Sequence, residues 1–195
     1  MDKGFTVWLA GLPGSGKTII LFLLEKRLKE YGLNVEVLDD NVVSENLTQN
    51  PDVTQEDPIA NSRQVAFVCK LLTRNGVAVI SAAASPSREC RDDARKEIGS
   101  FIEVFVKCPP ETCAGRNVKG LYDKAVKGVT YHFEEPLNPE VVIETDKESV
   151  EESTDKILNK LMELGYLNTN VAVSKVHSTE EEKLIMERLS RLGYL

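Results

Sequence analysis

Phe5-Thr6-Val7-Trp8-Leu9-Ala10-Gly11-Leu12-Pro13-Gly14-Ser15-Gly16-Lys17-Thr18 is the stretch that decides the fold. Its first six residues, mostly apolar, read as a buried strand. A glycine-rich turn follows, and from Lys17 the apolar spacing predicts a helix to about Tyr31, which Gly32 ends where the chain must turn left-handed. The turn Gly11 to Thr18 matches G-x-x-x-x-G-K-[ST] at every position, with the strand before and the helix after that this motif requires. Its glycines let successive backbone N–H groups converge on phosphate oxygens without side-chain obstruction. The helix N-terminus adds its partial positive charge. The pattern therefore predicts a cradle of Gly11, Pro13, Gly14, Ser15 and Gly16 for the phosphates of ATP. Lys17 would neutralise the β- and γ-phosphates, and Thr18 would place its hydroxyl on Mg²⁺.

Outward from this turn, apolar runs alternate with amphipathic stretches. Val35 to Leu38 is a second strand, ending at Asp39-Asp40-Asn41. A helix is expected from about Asn61 to Asn75, closed by Gly76. Val77 to Ala82 is a third strand, Ser87 to Ile98 a helix, and Phe101 to Val106 a fourth strand. A short helix after Pro110 leads into a basic, glycine-containing segment from Arg116 to His132. Val141 to Ile143 is the last strand. Ser149 to Leu164 reads as an amphipathic helix with Val150, Ile157, Leu158, Leu161 and Leu164 on one face. Strands alternating with helices imply an α/β fold: a P-loop NTPase-type three-layer sandwich with a mainly parallel sheet. Ligands of such sheets bind at the carboxyl ends of the strands.

Residues 1–166 are expected to form a P-loop kinase domain, and 167–195 a linker with a C-terminal helix. Ser178-Thr179-Glu180-Glu181 is a capping-box start for that helix. Leu164-Gly165-Tyr166-Leu167 recurs as Leu192-Gly193-Tyr194-Leu195. Two helix ends with an anchoring tyrosine account for the echo; the alternative is a partner-docking tail.

The bulk properties set limits. With 195 residues, the chain can bury one good core. The formal charge of -7 argues against sequence-independent binding to nucleic acid or an anionic membrane. No apolar run is long enough to cross a bilayer, and no signal-peptide pattern precedes the first strand. Cys69, Cys90, Cys108 and Cys113 form no C-x-x-C pair, so reduced, buried thiols in a cytoplasmic protein are expected rather than a metal cluster.

Two further groups carry candidate chemistry. A phosphoryl acceptor must be oriented in line with the γ-phosphate and relieved of its proton. Asp39 and Asp40, at a strand end beside the P-loop, are placed to do this, and Asp39 also to hold the metal's water shell; the alternative is a pair of solvated turn aspartates. Arg116, Lys119, Lys124 and Lys127, around Gly120 and Gly128, suit a lid over ATP, with Arg116 and Lys119 its first contacts. The alternative for the lysines is a solvated face.

Gly4 to Gly16, Asn61-Ser62-Arg63, Phe67 to Gly76, Ser85-Pro86-Ser87-Arg88, Lys119-Gly120-Leu121-Tyr122 and Asn138 to Ser153 together resemble the adenylylsulfate (APS) kinases. The likeness spans about residues 4 to 164. It implies transfer of the γ-phosphate of ATP to the 3′-hydroxyl of adenylyl sulfate, giving the sulfate donor PAPS. It also implies that Phe67 stacks on the substrate adenine, that Asn61 and Arg63 grip its phosphosulfate, and that Asn41, Arg88, Lys119 and Leu121 line the acceptor site. Ser85 matches the serine described in the family as a phosphoserine intermediate; direct in-line transfer, with Ser85 as a substrate contact, is mechanistically simpler. A homodimer is an implication of the resemblance alone.

The departures lie on the acceptor side. The family pattern D-G-D-x-x-R is here Asp39-Asp40-Asn41-Val42-Val43-Ser44. Two further family arginines are replaced by Pro58 and Gln64, and the aspartate after Arg116 is Asn117. The loop F-T-G-I-D-x-P-Y-E is shortened to Tyr131-His132-Phe133-Glu134-Glu135-Pro136. Each charge-assisted hydrogen bond lost is worth about 1.5–3 kcal/mol. Three readings follow: an APS kinase, a kinase of another small hydroxylated acceptor, or a nucleotide-binding regulatory module whose catalysis has lapsed. Asn41 favours the last, because a carboxamide cannot accept a proton as a carboxylate does.

Overall fold

The computed structural model describes residues 4–39, 58–82, 85–116 and 133–167. Strand β1 (Phe5–Ala10) sits at the centre of a five-stranded sheet of order β2-β3-β1-β4-β5, and each neighbouring pair is parallel. The other strands are β2 (Val35–Leu38), β3 (Ala78–Ser81), β4 (Phe101–Lys107) and β5 (Val141–Glu144). Helices α1 (Lys17–Glu30), α2 (Pro58–Arg74), α3 (Arg88–Ile98), α4 (Pro110–Gly115) and α5 (Val150–Glu163) connect or flank them.

The period of two along β1 sorts its side chains between two layers. Phe5, Val7 and Leu9 enter one core with Leu21, Leu24 and Leu28 of α1 and Ile157, Leu158 and Leu161 of α5. Trp8 and Ala10 enter the other, with Val65, Ala66 and Cys69 of α2 and Ala94 of α3. This is the expected three-layer sandwich. Burial on both faces explains why β1 is entirely buried and why its sequence is nearly continuously apolar.

Element types follow the sequence reading, and several ends differ. The helix expected from Asn61 begins already at Pro58, where the missing backbone N–H costs nothing in a first turn. β3 stops at Ser81, while β4 and β5 run one residue further than the apolar pattern, to Lys107 and Glu144. In α5 the expected face is trimmed: Ile157, Leu158 and Leu161 are buried and Val150 is partly so, but Leu164 is exposed. Leu164, the C-cap, still has helical dihedrals and donates its N–H to Lys160 O at 3.0 Å; the chain leaves the helix after it. Gly165 then takes φ 76°, Tyr166 donates its N–H to Leu161 O at 2.9 Å, and the Tyr166 ring packs on Phe5 with centroids 5.0 Å apart. The first copy of the echo is thus a helix end with an anchoring tyrosine. The second copy, and the helix expected from Ser178, lie outside the described residues. All four cysteines are free and buried.

The strand order places the P-loop. From β1 the chain first builds outward on one side through β2 and β3, and then crosses to the other side for β4 and β5. The turn after β1 therefore opens at the point where the order reverses, the crevice that parallel α/β sheets offer to ligands.

Candidate active site

Close approach of backbone to backbone shapes the turn after β1. Gly11 is buried, and a Cβ there would stand 2.4 Å from Val106 O and 2.9 Å from Ser15 Oγ. Gly14 has φ 80°, and its Cβ would stand 2.7 Å from Cys113 O. Gly16, at φ 97°, is the N-cap of α1, and no side chain caps that helix. Only glycine meets these demands without displacing main chain. Ser15 N–H donates to Leu12 O at 3.1 Å, which closes the turn. The Lys17 ammonium folds back over it and donates to Gly11 O at 2.9 Å and Leu12 O at 3.0 Å. Ser15 is fully buried, yet its Oγ has no hydrogen-bond partner among the described residues. Such an orphan is costly unless a ligand satisfies it. Pro13 is half-buried at the rim of the turn.

A second tier supports the turn from β5. Thr145, immediately beyond the strand, donates its hydroxyl to Ser15 O at 2.8 Å, and its methyl group lies 3.7 Å from where a Gly16 Cβ would be. The Arg116 guanidinium donates to Thr145 Oγ1 at 3.2 Å and to Thr145 O at 2.8 Å. Arg116 therefore stands beside the P-loop by way of Thr145. The sequence reading singled out Arg116 and passed over Thr145. The available signal was its position directly after a strand, at the carboxyl edge of the sheet.

Asp39 is buried just past the end of β2. Thr18 lies in the first turn of α1, half-buried. A hydroxyl and a carboxylate are hard oxygen donors of the kind Mg²⁺ prefers. Asp40, Asn41, Lys119, Leu121, Lys124 and Lys127 lie outside the described residues.

Of the residues expected to line the acceptor site, Phe67 of α2 is 52% exposed. Plain core packing is thereby excluded as its role. Arg63 lies one turn earlier on the same helix and is exposed too, while Asn61 carries a buried Oδ1 with no partner among the described residues. Ser85 is 3% exposed; its Oγ accepts from Trp8 Nε1 at 2.9 Å. The structure therefore presents this serine as a hydroxyl held in place by an indole, with its own proton left to donate. Arg88 bonds the segment after the basic stretch: its N–H donates to a Glu134 carboxylate oxygen at 2.7 Å and its Nε to Glu135 O at 2.7 Å. Phe133 stacks on Phe105 with centroids 6.0 Å apart. These two rings, with Leu12 of the P-loop and Pro109, help line a cavity of about 250 Å³.

The sequence reading also missed Arg91 and Glu103, buried on the α2–α3 side of the sheet and joined at 2.7 Å. Arg95 reaches the same carboxylate at 3.4 Å and pairs with Glu140 at 2.6 Å. Burial alone would raise the Glu140 carboxyl; hydrogen bonds from Arg95 and from the Glu103 N–H outweigh that and hold it below its ordinary value.

A lysine folded over a glycine turn, between the central strand and its helix at the switch point of a parallel sheet, defines the class of P-loop phosphotransferases. The adenylylsulphate kinase family profile matches residues 3–144. The adenylyl-sulfate kinase of Rippkaea orientalis is 48% identical over 179 residues, covering 88% of this chain and 99% of its own. That of a Picosynechococcus species is 48% identical over 172 residues, covering 85% and 97%. Among solved structures, the Mycobacterium tuberculosis APS kinase in complex with AMPPNP and APS is similar, with a TM-score of 0.75 and 33% identity over 83% of this chain and 99% of that one. The chain belongs to the adenylylsulfate kinase family.

Proposed function

We propose that this protein transfers the γ-phosphate of ATP to the 3′-hydroxyl of adenylyl sulfate, yielding PAPS and ADP. The observation that carries the reading is the cradle after β1, where Lys17 and an unpartnered, buried Ser15 hydroxyl face into a turn that tolerates no Cβ. Family membership supplies the acceptor, because the relatives are adenylyl-sulfate kinases and the M. tuberculosis enzyme was solved with APS.

In this reading Gly11, Gly14, Ser15 and Gly16 present main-chain donors and the Ser15 hydroxyl to the phosphates, while Pro13, which has no N–H, shapes the rim of the turn. The Lys17 ammonium exchanges its two carbonyl partners for phosphate oxygens, so its charge meets the charge that builds up in transfer. Arg116 flanks the nucleotide through Thr145, with Lys119 following it in the chain. Thr18 and Asp39 would hold Mg²⁺, which neutralises phosphate charge. On the other side, Phe67 stacks on the acceptor adenine, and Asn61, Arg63 and Arg88 bind its anionic end. Asn41 and Leu121 complete that wall. The acceptor oxygen attacks in line, the new O–P bond forms as the bond to ADP breaks, and the acceptor proton passes to Asp40. Ser85 contacts the substrate through its hydroxyl proton and is not itself phosphorylated. Residues 1–166 form the kinase unit, and cytoplasmic work as a homodimer fits the same reading.

The test is ADP release with and without adenylyl sulfate, with PAPS identified chromatographically. Release that depends on adenylyl sulfate, and disappears in Lys17→Ala, is the expected result. Adenylyl sulfate that neither stimulates release nor becomes phosphorylated would sink the assignment.

A further inference from the structure

Arg91 belongs to none of the groups used above, yet it is 1% exposed and its guanidinium serves three separate segments. Nε donates to Glu103 Oε1 on β4 at 2.7 Å. One terminal nitrogen donates to Ser85 O at 2.7 Å and Pro86 O at 3.3 Å, and the other to Glu134 O at 2.5 Å. The guanidinium carbon lies 5.3 Å from the centre of the Phe133 ring.

An arginine kept only to pair with Glu103 would need one edge of its fork. A buried pair of that kind is often replaceable by well-packed apolar residues with no loss of stability. Here the remaining donors all go to carbonyls on the two borders of the acceptor side. On one border stands Ser85, whose hydroxyl is in turn held by Trp8 of the strand that runs into the P-loop. On the other stands Phe133, which with Leu12 helps line the cavity beside the P-loop. A planar guanidinium has the geometry to fix carbonyls in several directions, whereas an ammonium is a point charge.

We propose that Arg91 is a positioning residue for the acceptor: it sets the Ser85–Pro86 turn and the Phe133–Glu134 strip at a fixed separation, and so shapes recognition of adenylyl sulfate while leaving ATP binding alone. The proposal rests on the function argued above. It also explains how a shortened acceptor loop keeps a defined wall, since its Phe133–Glu134 end hangs on a buried guanidinium.

Arg91→Lys keeps the charge opposite Glu103, and Arg91→Met keeps the volume. Both should raise KM for adenylyl sulfate about tenfold, the size expected for one lost charge-assisted hydrogen bond, with KM for ATP within about twofold. Unchanged acceptor KM in both variants, or a parallel rise for the two substrates, would overturn the proposal. If Arg91→Met does not fold, Trp8→Phe serves instead: it removes the donor to Ser85 and should give the same split between substrates, while a shift in ATP KM alone would count against it. Failure of the wild-type protein to use adenylyl sulfate would defeat the proposed function. Arg91 is then read through Trp8, the single tryptophan of the chain. A red-shifted emission in Arg91→Lys shows that Ser85 is held through Arg91, and an unaltered emission refutes it.

Discussion

Phe67 shows how little of a residue's role its chemistry alone conveys. An aromatic in an amphipathic helix belongs by default in the core, yet this ring is half out in solvent while Val65, Ala66 and Cys69 of the same helix are fully packed. In the proposed function this exposed ring is the stacking platform for the acceptor adenine. Stacking of a base on an aromatic ring is worth about 1–3 kcal/mol. Phe67→Ala is therefore expected to raise KM for adenylyl sulfate about tenfold or more while the thermal midpoint stays near the wild-type value. An unaltered KM would show that the ring does not stack on the acceptor. The P-loop glycines were legible without a structure, because their spacing is itself the requirement for converging N–H groups. Thr145 was marked only by its place directly after a strand, and its partner, Ser15 O, was set by the fold.

Among the elements, α5 makes its own start explicit. Ser149 Oγ accepts from the Glu152 N–H at 3.1 Å, and the Glu152 carboxylate accepts from the Ser149 N–H at 2.8 Å. These bonds hold the Glu152 carboxyl below its ordinary value. The helix packs Ile157, Leu158 and Leu161 into the core shared with α1. Ser149→Ala should cost about 1 kcal/mol of unfolding free energy, read as a lower urea midpoint at unchanged slope. Ser149→Gly should cost only a few tenths. Equal midpoints for Ser149→Ala and wild type would mean that the cap is satisfied some other way. The helix is legible from its apolar period, although Leu164, which continues that period, is the exposed C-cap and not a core residue.

For the whole molecule, burial of thiols couples stability to alkaline pH. Burial pushes the Cys69 thiol from its ordinary 9.0 up to about 12. Burial, then the neighbouring Cys108, pushes Cys113 up to about 12. The folded state thus keeps protons that the unfolded chain releases. The contribution is complete below pH 9 and is lost as pH climbs from there toward 12, at no more than about 1.4 kcal/mol per pH unit for each thiol. Urea midpoints at a series of pH values from 8 upward should fall, and the fall should be shallower in Cys69→Ala. Identical slopes in the two proteins would remove Cys69 from the effect.

By itself the sequence determined the order of strands and helices, the parallel sheet and the phosphate cradle, because periodicity and glycine placement are local and act wherever the chain goes. Only the tertiary structure decided that Phe67 faces outward, that Trp8 holds the Ser85 hydroxyl, and that Arg91 joins Ser85–Pro86, β4 and the Phe133–Glu134 strip. The Trp8–Ser85 and Arg91–Glu134 contacts join residues 77 and 43 positions apart, and the choice among such pairs depends on which strands lie side by side in the sheet.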